Sequence, residues 1–174
     1  APSIQVAGIA SNIRQSFNKE GRLMGSFTLD DGTATISVTC FGDDWLLYRN
    51  IVKSDELVFV RGGAREDSFS PSGVSISARS IEVPATIRAK NGTILQIELT
   101  DPNFDFDLLK TFLEDHRPDV DDAGCRVAIK VMDKGLKASF VLSKDWEVYL
   151  DQTLLDTLRE IPGITYHLVD KKTQ

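Results

Sequence analysis

Cysteine and histidine are scarce in this sequence: Cys40, Cys125, His116 and His167 are all that 174 residues contain. The cysteines lie far apart, each inside an apolar strand-like run, and neither histidine stands at ligand spacing from a cysteine. A disulfide framework, a zinc knuckle and a cysteine–histidine catalytic pair therefore have no support, and neither a metal nor any other cofactor is expected. Long apolar runs are missing too; none approaches the roughly 20 residues a membrane helix needs. The opening APSIQVAGIA has no basic region followed by an apolar stretch, so it is no secretory signal, and it has no initiator methionine. The expectation is a piece of a longer chain, with no membrane contact, in a reducing cytoplasm.

Catalytic signatures are equally absent. There is no G-x-x-x-x-G-K-[ST] phosphate loop, no G-x-G-x-x-G fingerprint and no G-x-S-x-G elbow, and Gly62-Gly63 is too short to cradle phosphates. The carboxylate pairs Asp30-Asp31 and Asp43-Asp44 fall where a turn and a helix start are expected, positions at which aspartate bonds local backbone. No catalytic residue is assigned, and a non-enzymatic piece is predicted.

What is present begins with charge. The net charge of −6 argues against a chain whose sole business is holding nucleic acid. Residues 1–88 carry 9 Lys and Arg against 10 Asp and Glu, whereas residues 89–174 carry 11 against 16. The acidic load of the second half points to a protein partner there.

Period-2 alternation over Ile4–Ile13, with Gly8 in the middle, predicts a long strand bent at that glycine. Strands are also expected over Leu23–Asp30 and Ala34–Phe41, the latter after the Asp31-Gly32 hairpin signal. The stretch Gly42–Val52 changes to helical period, with Trp45, Leu46 and Tyr48 on one face, and Leu57–Gly63 and Val74–Val83 complete five strands. Three strands, a helix and two strands is the order of an all-β, five-stranded oligonucleotide-binding (OB) barrel, assigned to residues 1–84. Residues 85–93 read as a polar linker.

A second pattern, a small α+β domain, follows over 94–174. A strand at Ile94–Thr100 precedes a helix that Asp101-Pro102 can start, with Leu108, Leu109, Phe112 and Leu113 on one face. Arg126–Met132 and Leu136–Leu142 form a hairpin around Asp133-Lys134-Gly135. Asp151 caps a last helix lined by Leu154, Leu155 and Leu158, Pro162-Gly163 stops it, and Ile164–Val169 closes the sheet. The expected order is βαββαβ, a split βαβ arrangement.

On such a barrel, strands two and three and the rim loops bind single strands, with cations tracking phosphates and aromatics stacking on bases. Arg14, Phe17, Lys19 and Arg22 surround the first loop, and Arg61, Arg65 and Phe69 lie at or near the loop joining strands four and five. These seven are the candidate nucleic-acid-binding residues. On the last helix Asp156, Arg159 and Glu160 lie away from the leucine stripe, and with Trp146 they form the candidate partner-binding set; the tail 170–174 has no core-forming pattern.

The runs V-A-G-I-A at 6–10, K-E-G-R-L-M-G-S-F-T-L-D-D at 19–31, I-S-V-T-C-F at 36–41 and Y-R-N-I-V-K-S-D at 48–55 resemble the OB domain near the carboxyl end of bacterial DNA polymerase III alpha subunits. D-W-E-V-Y-L-D-Q-T-L-L at 145–155 and L-R-E-I-P-G-I at 158–164 resemble the extreme carboxyl-terminal domain of the same family. The resemblance implies that the first domain contacts single-stranded template weakly, that the second binds the tau subunit of the clamp loader, and that the catalytic palm lies in the rest of the polymerase chain. Glu20 stands where a cation is common in that family, and the segment 164–169 lacks the leading glutamine of a clamp-binding sequence, so none is assigned. Two alternatives stay open: a protein-binding adaptor whose barrel does not bind DNA, and a tRNA-binding module of a synthetase-like protein.

Overall fold

The structure, a computed structural model, describes residues 3–171; residues 172–174 of the tail considered above lie outside the described residues. The chain divides into two compact units, Ala1–Val83 and Pro84–Gln174.

The first unit is a closed barrel of five strands in the order β1-β2-β3-β5-β4. β1 (Ser3–Phe17) is 15 residues long because it serves two neighbours. Residues 3–9 pair with β4 (Leu57–Glu66), and residues 9–17 pair with β2 (Leu23–Asp30), so one strand closes the barrel. The irregularity in β1 lies between Ser11 and Arg14, where Asn12 takes the left-handed φ of 51° that asparagine tolerates. Gly8 is thus not the bend. It permits close approach instead, since a Cβ there would lie 2.8 Å from the Asp30 carbonyl oxygen.

β3 (Thr35–Phe41) pairs antiparallel with β2 and parallel with β5 (Val74–Glu82). Alternate residues Phe27, Leu29, Val38, Cys40, Val58 and Ile76 fill the interior. α1 (Gly42–Tyr48) is shorter than its sequence pattern and buries Trp45 alone, leaving Leu46 and Leu47 exposed. The loop after β4 is also shorter than expected. β4 continues through Arg65 and Glu66, and residues 67–73 form a tight turn in which the Asp67 N–H donates to the Gly73 carbonyl.

The stretch 85–93 is not a linker. Pro84–Lys90 forms α2, which belongs to the second unit. Proline at a first turn presets the helical φ, Ala85 is buried, and the Arg88 guanidinium donates to the Leu150 carbonyl at 2.8 Å.

The second unit holds a four-stranded sheet in the order β8-β7-β6-β9, made by β6 (Ile94–Leu99), β7 (Arg126–Asp133), β8 (Leu136–Val141) and β9 (Ile164–Val169). β6 and β7 are parallel and directly bonded, so the expected split βαβ arrangement is incorrect. The short Asp133–Leu136 hairpin keeps β8 on the outer side of β7, and all six of its residues are exposed, as an edge strand's are. α3 (Phe106–Asp115) begins later than Asp101-Pro102: Asp105 is its N-cap, accepting from the Asp107 N–H, while Asp101 turns back to the Asn103 N–H. α4 (Gln152–Glu160) is capped by Asp151, which accepts from the Leu154 N–H at 2.9 Å. Leu109, Phe112 and Leu113 of α3 and Leu154, Leu155 and Leu158 of α4 pack on Leu95, Ile97, Val127 and Ile129. Each such fully buried side chain contributes about 1.5–3 kcal/mol relative to exposure.

Candidate nucleic-acid interface

Strand alternation builds the outer face of the barrel. With Gly25, Phe27, Val38 and Cys40 turned inward, Ser26, Thr39 and Phe41 point outward. Register then aligns rows across the sheet, because paired residues share a face. Arg14 faces Ser26, Ser26 faces Thr39, and in the next outward row Met24 faces Phe41.

Arg65 reaches this face from the end of β4. Its Nη2 donates to Thr39 Oγ1 at 2.5 Å, and the guanidinium carbon lies 5.0 Å from the centre of the Phe41 ring. Thr39 in turn donates to the Ile76 carbonyl at 3.4 Å. Two guanidinium-bearing residues, Arg14 and Arg65, therefore share the outer face of β2 and β3 with small hydroxyls and one aromatic ring. That combination of backbone-tracking cation and stacking platform suits a single-stranded nucleic acid.

The other predicted residues are placed differently. Phe17 is exposed, but it pairs with Leu23 on the side of the β1–β2 ribbon that carries Gly25 and Trp45, opposite to Arg14. Lys19 and Arg22 lie in the β1–β2 turn, where the Asn18 carboxamide accepts from the Glu20 and Arg22 N–H groups. Arg22 pairs with Glu20 at 3.5 Å, an exposed ion pair of little stability that nonetheless offsets the cation. Arg61 points outward from β4 between Gln5 and Ser80, away from β2 and β3. Phe69, 97% exposed, stands at the tip of the 67–73 turn. Sequence reasoning missed Thr39 and Phe41, although alternation about the apolar Val38 and Cys40 carried the signal.

The opposite end of the barrel is electrostatically unsuitable. An open groove of about 670 Å³ there is lined by Ala7, Ile9, Leu57 and the carboxylates of Asp30, Asp31 and Asp55. The Thr33 hydroxyl and then the backbone N–H groups of Thr33 and Ala34 bond Asp31 and hold it down to about 2, so the groove repels phosphate at neutral pH. Among the described residues no group of three or more His, Cys, Asp or Glu could hold a metal ion. Burial pushes the thiols of Cys40 and Cys125 up to about 11, which leaves them protonated and unreactive.

In the second unit Trp146 ends a short 3-10 turn, Lys144–Trp146, half-buried against the core with the Arg117 guanidinium 5.5 Å from its ring centre. Asp156, Arg159 and Glu160 are exposed on α4. Arg159 already has partners: it donates to Asp156 Oδ1 at 3.2 Å and to the Tyr166 hydroxyl at 3.1 Å.

A closed five-stranded barrel in this strand order has the OB fold, and residues 4–84 match the family described as OB-fold nucleic acid binding domain. Across both units the chain is similar to the DNA polymerase III subunit alpha of Vibrio cholerae, 28% identical over 92% of this chain and 14% of that protein. It is likewise similar to the corresponding subunits of Pseudomonas aeruginosa, 27% identical, and Pseudomonas fluorescens, 24% identical, each over 89% of this chain and 13% of the relative. The chain thus spans about one seventh of the length of these relatives.

Proposed function

We propose that this chain is the carboxyl-terminal part of a bacterial replicative polymerase alpha subunit, in which the barrel guides single-stranded template and the second unit binds the clamp-loader tau subunit. The observation that carries this reading is that one similarity covers 92% of the chain, which takes in both the barrel and the second sheet. A synthetase-like module would share only the barrel. No helix among the described residues is long and apolar enough to cross a membrane, and buried free thiols suit the reducing cytoplasm in which a replicase works.

The template role rests on Arg14 and Arg65 beside Phe41. Affinity is weak, because the net charge is −6 and Arg22 is offset by Glu20. The test is a salt series of single-stranded DNA titrations on the whole chain. Arg14→Ala lowers the slope of log affinity against log salt by about 0.7, the value for one phosphate contact on a single strand. Arg61→Ala leaves it unchanged. Equal effects of the two substitutions would mean diffuse charge attraction instead of a β2–β3 site. A second reading, an adaptor whose barrel binds no DNA, is favoured by the Glu20–Arg22 pair, and absence of any salt-dependent titration would select it.

A further inference from the structure

Arg65 lies where a base would stack. Its guanidinium covers the outer face of Phe41 and is tied to Thr39, two positions away on the same strand and the same face. A guanidinium and a nucleobase are both flat groups that settle on an aromatic ring, so they compete for one surface. The partners that hold Arg65 down are a ring and a neutral hydroxyl. The Thr39 hydroxyl is oriented to accept from Arg65, because its own proton goes to the Ile76 carbonyl and its oxygen lone pairs stay free.

We propose that Arg65 is a displaceable plug on a base-stacking position: a single strand lifts it from Phe41, one base takes the ring face, and the freed guanidinium pairs with a phosphate. This rests on the nucleic-acid reading above and adds to it the stacking residue, the group that blocks it and the latch, Thr39. Because only the unplugged fraction can stack a base, apparent affinity is lowered by that fraction. Loosening the latch therefore strengthens binding, an outcome that a purely attractive cation would not produce.

The experiment uses the full chain and a labelled oligothymidylate carrying one 2-aminopurine, followed by anisotropy and by 2-aminopurine emission across a salt series. Thr39→Val removes the latch without changing charge, and it tightens binding about two- to fivefold with an unchanged salt slope. Phe41→Ala weakens binding roughly tenfold at every salt and abolishes the emission quench that stacking produces, whereas Phe41→Tyr keeps both. Arg65→Ala lowers the slope by about 0.7 and cancels the gain from Thr39→Val in the double variant. Circular dichroism melts of each variant establish that it is folded. Thr39→Val binding equal to or weaker than wild type overturns the plug, and so does a quench that persists in folded Phe41→Ala. If wild-type chain does not bind the oligonucleotide at all, the nucleic-acid reading falls first and the plug with it.

Discussion

Trp45 is held in place by a residue that has no side chain. A Cβ on Gly25 would fall within the van der Waals envelope of the indole, whose Nε1 donates to Gln15 Oε1 at 3.0 Å. The ring is buried and anchored at its polar end, so it has little room to retreat. Gly25→Ala should therefore cost about 2–3 kcal/mol through overpacking, seen as a lower urea midpoint at unchanged slope. Burial also controls the thiols, Cys40 inside the barrel and Cys125 in the core of the second unit. Burial raises Cys40 and Cys125 from the ordinary 9.0 to about 11, so the stability that their neutral forms contribute is complete below pH 9 and is lost as pH rises through 11. Ellman's reagent below pH 9 should leave both thiols unmodified in folded chain and react with both in denaturant; prompt reaction of either would place that thiol at the surface. Both cysteines could be read as buried from the apolar runs around them. The Gly25–Trp45 pairing could not, because nothing in a sequence says which glycine faces which ring.

At the scale of elements, the legible features were those with several turns or pairs of pattern. The barrel strands and α4 stand out because alternation, or a leucine stripe, repeats often enough to exceed chance. α2 does not: seven residues give fewer than two turns, and its buried contact is one small side chain, Ala85. The order β8-β7-β6-β9 was hidden for another reason. A hairpin fixes that β7 and β8 are neighbours, but whether β8 ends at an edge depends on which side of β7 is taken by β6, a long-range contact with no local sign. Caps are local, and Asp151 was legible for that reason. Its carboxylate bonds the Leu154 N–H ahead of the three leucines that anchor α4. Asp151→Ala should lower stability by about 1 kcal/mol, with Asp151→Ser recovering most of it in the same denaturation experiment. Loss of nothing on Asp151→Ala would show that tertiary packing alone sets the start of α4.

Over the whole molecule, charge is unevenly distributed. The first unit, residues 1–83, carries 8 cations to 10 anions and concentrates Arg14 and Arg65 on one face; the second, residues 84–174, carries 12 to 16. On the proposed reading, the face that carries Arg14 and Arg65 attracts a polyanion and the acidic second unit a basic protein surface. The candidate partner surface on α4 was legible as the polar side of an amphipathic helix. That Arg159 is already engaged by Asp156 and Tyr166 was not, because Tyr166 is on another element. Glu160 is exposed on the same helix, which makes it the cleaner probe. Glu160→Lys should weaken tau binding about five- to tenfold by calorimetry, shift the melting temperature by no more than a degree or two, and leave the oligothymidylate titration unchanged. Arg14→Ala should do the reverse, weakening DNA and sparing tau. If Glu160→Lys left tau binding intact while a barrel substitution reduced it, tau would dock on the first unit, and the acidic surface of the second would need another partner.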